Sequence, residues 1–202
     1  MAEDLIALAR KAMASSRAGQ DPDYPRFHLA PPVGRLNDPN GLLVDGDTYH
    51  AFYQFGPFHP RRKLVFWGHA SSHDLLTWEQ HDPAIIPDSP YDRSGAYSGS
   101  ALVLAGDEAA HAPDHARFQL FYTGNLKDPT TDARISTQAL ASSRDLARFT
   151  KWPGNPIIDR PNGYTAHFRD PQVWRDPDAP GTFRMVVGAQ RTDRTGTALL
   201  YR

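Results

Sequence analysis

Asp38 lies in the run Asn37-Asp38-Pro39-Asn40-Gly41, one carboxylate set among turn-forming amides directly ahead of the apolar stretch Leu42-Leu43-Val44. A carboxylate seated this way could serve as a nucleophile or steady a developing positive charge. Pro39 fixes its own φ and lacks an N–H, and Asn40-Gly41 carries hairpin-type turn chemistry. A strand is therefore expected to begin at Leu42, with Asp38 at its mouth facing outward. The alternative is an ordinary turn, because Asp-Pro recurs at Asp21, Asp82, Asp128, Asp170 and Asp176. Asp170 follows Arg169, which could orient it through a charge-assisted hydrogen bond or form a plain surface ion pair. Gln54 stands among Phe52, Tyr53 and Phe55, where an amide needs a polar partner, either a ligand hydroxyl or neighbouring backbone. Tyr97 and Ser98 carry the same two readings, ligand contact or strand-edge packing.

Composition narrows the chemistry. The 202 residues include no cysteine, so thiolate catalysis, disulfides and cysteine-held metals are excluded. His69 and His73 are four apart, a metal-binding spacing only on a helix, and here the pattern reads strand and then turn. No metal site and no cofactor are read. A formal charge of −1 gives no reason to expect nucleic acid or an anionic membrane as partner, and it suits a neutral polar small molecule. No apolar run approaches the roughly 18 residues of a membrane span, and Met1-Ala2-Glu3-Asp4 is acidic where a secretory leader is basic, so a cytoplasmic location is expected.

The elements that must position these residues are mostly strands. Leu5, Ile6, Leu8, Ala9, Ala12 and Met13 suit one short amphipathic helix over residues 4–18, ended by Gly19. From residue 40 onward, short runs rich in β-branched and aromatic residues alternate with Gly, Pro, Asp and Asn, the pattern of an all-β fold. Ser72-His73-Asp74-Leu75-Leu76-Thr77-Trp78 recurs 71 residues later as Ser143-Arg144-Asp145-Leu146-Ala147-Arg148-Phe149. About four strand candidates surround each copy, which describes a propeller blade. A third set opens at Pro171 and continues to Arg202, inside a strand-like run. The expected fold is therefore an incomplete propeller with two blades, part of a third and a short N-terminal helix. Trp78, Trp152 and Trp174 are expected to pack in its core.

Arg35-Leu36-Asn37-Asp38-Pro39-Asn40-Gly41, Phe52-Tyr53-Gln54, Trp67-Gly68-His69-Ala70, Tyr97-Ser98-Gly99-Ser100 and Arg169-Asp170-Pro171 together resemble glycoside hydrolase family 32, the β-fructofuranosidases. Tyr122-Thr123-Gly124-Asn125 and His167-Phe168 look most like the intracellular bacterial sucrose-hydrolysing branch. The resemblance implies a five-bladed propeller followed by a β-sandwich, with residues 1–22 a helical segment and 23–202 the N-terminal part of the propeller. It implies that Asp38 is the nucleophile, forming a covalent fructosyl intermediate. Asp170 then holds fructose hydroxyls and steadies the transition state, while Asn37, Gln54, Trp67, Tyr97, Ser98 and Arg169 line the sugar pocket. The implied partner is a fructoside of the sucrose class, cleaved with retention.

Three departures from the family pattern matter. An aromatic commonly two residues before Asn-Asp-Pro is Arg35 here, and the loop after Gln54 carries Arg61-Arg62-Lys63 where many members place a tryptophan. That basic run could meet a phosphate or be a solvated turn. The family's acid/base glutamate follows Arg-Asp-Pro by several dozen residues, and no Glu lies beyond Glu108. Glu3, Glu79 and Glu108 are poor substitutes by position. The expectation is a truncated β-fructofuranosidase that is inactive alone; the alternative is a noncatalytic fructoside-binding module.

Overall fold

The computed structural model describes residues 4–202. The acidic start at Ala2-Glu3 lies outside the described residues, as does the reading of Glu3. A helix α1 (Leu5–Ala14) is capped by Asp4, whose Oδ1 accepts from the Ala7 N–H at 3.1 Å. It is shorter than the expected 4–18 span; Gly19 lies in a separate 3-10 turn, Ala18–Gln20. Leu5 and Ala9 pack on Tyr53, Phe55, Leu64 and Phe66, and Arg10 forks onto Asp82, so the helix is fastened to the first sheet. Among the described residues no helix is long and apolar enough to cross a membrane.

The rest is three antiparallel meanders. The first sheet runs β1 (Arg35–Asp45), β2 (Thr48–Gly56), β3 (Phe66–Ser72) and β4 (Glu79–Gln80). The second runs β5 (Ala96–Val103), β6 (Phe118–Lys127), β7 (Arg134–Ser143) and β8 (Thr150–Lys151). The third holds β9 (Tyr164–Arg175), β10 (Phe183–Arg191) and β11 (Gly196–Tyr201). Within each sheet the strands pair in chain order. The segment between β5 and β6 contains one helical turn, α2 (Gly106–Ala109). The first strands of the three sheets lie side by side, β1 against β5 and β5 against β9. Phe52, Trp67, Leu120 and Tyr122 fill the seam between the first two sheets, and Phe168, Val173, Met185 and Val187 fill the next.

The internal repeat is a corner. Ser72 Oγ accepts from the Leu75 N–H and Asp74 Oδ1 from those of Leu76 and Thr77; Ser143 and Asp145 repeat this with Leu146, Ala147 and Arg148. Leu75 (φ 62°) and Leu146 (φ 61°) occupy the left-handed region that these bonds impose. The bonds from the Thr77 and Leu76 amides, in that order of weight, hold the Asp74 carboxyl down to about 2. The motif turns the chain from the third strand of a sheet into its fourth.

Two expectations about local structure are corrected. The Asn37–Gly41 run is not a turn ahead of a strand: it lies inside β1, and the hairpin to β2 turns instead at Gly46-Asp47, between the paired residues Asp45 and Thr48. Partners from the adjoining strand satisfy backbone groups that local turn chemistry would otherwise have to satisfy. Trp152 is 40% exposed and not in the core, while Trp78 and Trp174 are half-buried.

Candidate active site

Asp38, Ser98 and Asp170 come together because each of the three first strands bulges at that residue. In β1, Leu36 pairs with Phe55 and Pro39 with Tyr53, so Asn37 and Asp38 together face Gln54. In β5, Tyr97 pairs with Thr123 and Gly99 with Tyr122, leaving Ser98 as the extra residue. In β9, Arg169 pairs with Gly188 and Gln172 with Val186, so Asp170 and Pro171 face Val187. A bulge re-aims the side chain it carries and adds local twist. Proline suits these places, because Pro39 and Pro171 have no N–H to offer a ladder. Asp170 itself takes φ 63°, a conformation that Asp and Asn tolerate better than most residues.

Neutral donors hold Asp38. Asn37 Nδ2 donates to Oδ1 at 2.8 Å, and Ser98 Oγ donates to Oδ2 at 3.3 Å. The Asn37 amide is oriented in turn by Arg35, whose Nη2 donates to its Oδ1 at 2.7 Å. Asn40 is buried beneath, its Nδ2 3.3 Å from the Asp38 carbonyl and 3.5 Å from Ser98 Oγ. Asp170 is held through its backbone: its N–H donates to Thr123 Oγ1 at 3.0 Å, Thr123 donates to Gln138 Oε1, and Gln138 Nε2 donates to the Phe168 carbonyl. Its carboxyl lies above the usual range. Loss of water among the surrounding strands raises it most, the Arg169 guanidinium at 3.5 Å opposes this, and the negative charge of Asp38 pushes it up further. The two carboxylates therefore feel each other.

A cleft of about 340 Å³ opens among these strands, lined by Asn40, Ser98, Ser100, Asp170 and Gln172. A larger apolar cavity of about 650 Å³ lies between the second and third sheets, around Leu102, Phe121, Met185 and Tyr201, and holds none of the candidate catalytic side chains. The smaller cleft is the one that Asp170 and Ser98 line, and Ser98 in turn bonds Asp38.

The remaining candidates divide. Tyr97 is half-buried, its hydroxyl 2.7 Å from Arg134 Nη1, and Arg169 reaches His167 as well as Asp170. Gln54 is buried with its Nε2 donating to the Ala96 carbonyl at 3.3 Å, so neighbouring backbone takes up its amide. Trp67 is corrected outright: it has no exposed surface, its indole N–H donates to the Tyr97 carbonyl at 2.9 Å, and Gly41 packs over its ring. It supports the β1 bulge from below and offers no face to a sugar. His69 is buried against His50 and Phe52, and burial holds its pKa down to about 2, keeping it neutral; His73 is exposed beside Asp47. Among the described residues no cluster of three or more His, Asp or Glu is placed to hold a metal.

Sequence reasoning passed over Asn40, Thr123 and Gln138. Asn40 read as a turn former, although a polar residue within a bulged strand also suits a buried role. Thr123 stood in a family-like motif with no reason to single it out, and Gln138 carried no local signal.

The model of the Glycosyl hydrolases family 32 N-terminal domain matches residues 28–202. Sucrose-6-phosphate hydrolase of Bacillus subtilis (strain 168) is 41% identical over 185 residues, covering 91% of this chain and 35% of its own length. Among solved structures, sucrose-6-phosphate hydrolase from Lactobacillus gasseri superposes with a TM-score of 0.78 at 34% identity, covering 96% of this chain and 37% of that one. A GH32 beta-fructofuranosidase of Bombyx mori gives 0.80 at 33% identity, covering 100% of this chain and 40% of that one. A variant of the Bombyx mori enzyme has been solved in complex with sucrose. The chain thus spans about a third of the length of the curated relatives it matches.

Proposed function

The chain belongs to glycosyl hydrolase family 32, and from that membership we propose that it is the N-terminal part of the catalytic domain of a retaining fructoside hydrolase. Its three sheets are then the opening blades of a five-bladed propeller, and the cleft among β1, β5 and β9 belongs to the axial funnel. The observation that carries the reading is the convergence of Asp38, Ser98 and Asp170 on three adjoining bulges.

Asp38 attacks the anomeric carbon of a fructosyl unit as the bond to the leaving sugar breaks. Asn37 and Ser98 fix both carboxylate oxygens, so the attack needs little reorganisation. Positive charge builds on the ring in the transition state, and Asp170 faces it from the opposite bulge while accepting from sugar hydroxyls. Thr123 fixes the Asp170 backbone and Arg169 its charge. The leaving oxygen needs a proton. Among the described residues Glu79 lies exposed on β4, and Glu108 is tied to Arg175 beside α2, so neither serves. The acid is proposed to be a glutamate beyond these 202 residues.

The test compares the 202-residue chain with a polypeptide extended to the length of its relatives. The extended protein should hydrolyse sucrose or a related fructoside, and the short chain should be slower by at least the roughly 10²–10⁴-fold typical of a lost general acid. Mass spectrometry of a trapped intermediate should place the fructosyl group on Asp38, and Asp38→Asn should abolish turnover. An extended protein that binds fructosides without turnover would favour a noncatalytic binding module instead.

A further inference from the structure

Amid the apolar seam between the second and third sheets lie three buried polar side chains of the second sheet, Thr123, Ser136 and Gln138. Such groups are costly to bury unless each finds a partner. Their partners belong to the backbone of β9. Ser136 Oγ donates to the Ala166 carbonyl at 2.8 Å, Gln138 Nε2 donates to the Phe168 carbonyl at 3.0 Å, and Thr123 Oγ1 accepts from the Asp170 N–H at 3.0 Å. β9 is the end strand of its sheet, with β10 beside it. Residues 166, 168 and 170 alternate along it, and the second sheet's side chains serve them in the manner of a neighbouring strand.

Two of these bonds close a ring. Thr123 has one O–H, and while accepting from Asp170 it donates to Gln138 Oε1 at 2.9 Å. That sets the direction of the Gln138 amide: turned the other way, its Oε1 would face the Phe168 carbonyl oxygen, two acceptors with no proton between them. The ring therefore has one consistent sense, and it grips the peptide groups on both sides of Arg169. It does so where the strand has least other support. Pro171 offers no N–H, Asp170 and Pro171 together face Val187, and Asp170 has φ 63°. Beyond the proline the Val173 N–H donates to Ser100 Oγ at 3.1 Å, so the second sheet holds the bulge from both ends.

We propose that Thr123 and Gln138 are positioning residues for the hydrolysis, a single clamp that keeps Asp170 in the left-handed conformation with its carboxylate turned toward the sugar. The inference rests on the fructoside-hydrolase reading and adds to it what holds the second carboxylate in place. Asp tolerates this conformation without preferring it, and with the clamp broken the Asp170 N–H loses its acceptor and the bulge can relax. The carboxylate then moves relative to the ring on which positive charge develops, and a displacement of about 1 Å can cost on the order of a hundredfold in rate. Thr123 and Gln138 have no exposed surface, so they act through β9 and not on the sugar.

The test uses the full-length polypeptide and a fructoside that it cleaves, with kcat and KM measured separately. Thr123→Val keeps the shape of the side chain and removes its oxygen, whereas Thr123→Ser keeps the oxygen and removes a methyl group. The valine variant should lose about ten- to a hundredfold in kcat with a smaller change in KM, since the charge that Asp170 meets develops in the transition state. The serine variant should stay close to the native rate. Gln138→Met breaks the same ring and should be as slow as Thr123→Val, and the double variant should be no slower than the slower single, because the two side chains act as a unit. Should Thr123→Val fail to fold, Gln138→Met against Thr123→Ser makes the same comparison. A native rate in Thr123→Val, a serine variant as slow as the valine one, or losses that multiply in the double variant overturns the clamp and leaves the hydrolase reading intact. If the native full-length protein cleaves no fructoside, that reading fails and crystal structures decide the clamp: in Thr123→Val, an Asp170 that has left the left-handed region supports it, and an unmoved Asp170 overturns it.

Discussion

Asp38 and Asp170 differ in what touches them, and the roles proposed for them follow that difference. Asp38 accepts from two neutral donors, whereas Asp170 has a loosely placed guanidinium at 3.5 Å and a second carboxylate nearby. Since the charge of Asp38 helps raise the Asp170 carboxyl, its removal should release part of that rise. In Asp38→Asn the Asp170 carboxyl is expected to titrate at lower pH than in the native protein, as read by carbon-13 NMR of the labelled side chain. An unchanged midpoint would mean that the two do not share a field. Asp170→Asn is the suitable partner variant, because asparagine also tolerates φ 63° and the substitution removes charge without straining the strand.

Among the elements, the bulges position the candidate side chains; glycine closes the one at Ser98, as Gly99, and Gly41 lies in a second irregularity of β1, between Asn40 and Leu43. Gly41 has φ +58°, and a Cβ there would meet Trp67 Cζ3 at 2.9 Å and Phe52 Cδ2 at 3.1 Å. At Gly99 a Cβ would lie 1.9 Å from the Phe121 carbonyl oxygen, a backbone atom already committed to the β5–β6 ladder. Side chains can shift and ladder backbone cannot, so Gly99→Ala should destabilise by roughly 3 kcal/mol or more and Gly41→Ala by about 1–2 kcal/mol. Urea unfolding of the two variants would check the order, and a reversed order would mean that the ladder at Phe121 yields more easily than the Trp67 packing. The strands themselves were legible from alternating apolar residues and turn signals. The bulges were not, because a bulge is a relation between two strands and one strand's sequence carries only half of it. For the same reason Asn37–Gly41 read as a turn, and Trp67 read as a pocket wall when it is the floor under that segment.

Across the molecule, a buried ion pair ties the second sheet to the segment that joins it to the first. Lys151 on β8 reaches across to the segment before β5, where its Nζ lies 2.6 Å from Asp92 Oδ2, 2.7 Å from Asp88 Oδ1 and 2.6 Å from the Ile86 carbonyl. Asp92 has no exposed surface and also accepts from Tyr122 Oη and the Ser89 N–H. Dehydration raises its carboxyl and Lys151 draws it back. Lys151→Met would leave that carboxylate buried without its cation, at a cost of about 3–5 kcal/mol, whereas Asp92→Asn combined with Lys151→Met should recover much of the loss. Thermal unfolding of the single and double variants would check this, and a double variant worse than Lys151→Met would count against it.

The sequence by itself determined the all-β class, the short helix, the repeated Ser-x-Asp corner and the family, and it singled out Asp38 and Asp170, the two carboxylates proposed to act in catalysis. Each of these rests on local pattern or on residues close together in the chain, where period, turn chemistry and motif order suffice. Only the tertiary structure decided that Ser98 bonds Asp38 and shares a cleft with Asp170, that Trp67 lies buried against Gly41, that Gln54 gives its amide to backbone, and that Lys63 and not its basic neighbours joins Arg35 and His59 in lining one small pocket. These are contacts across strands and sheets: Ser98 is 60 residues from Asp38, and Thr123 is 47 from Asp170. Strand pairing and bulge register set such distances, and no single stretch of sequence specifies them.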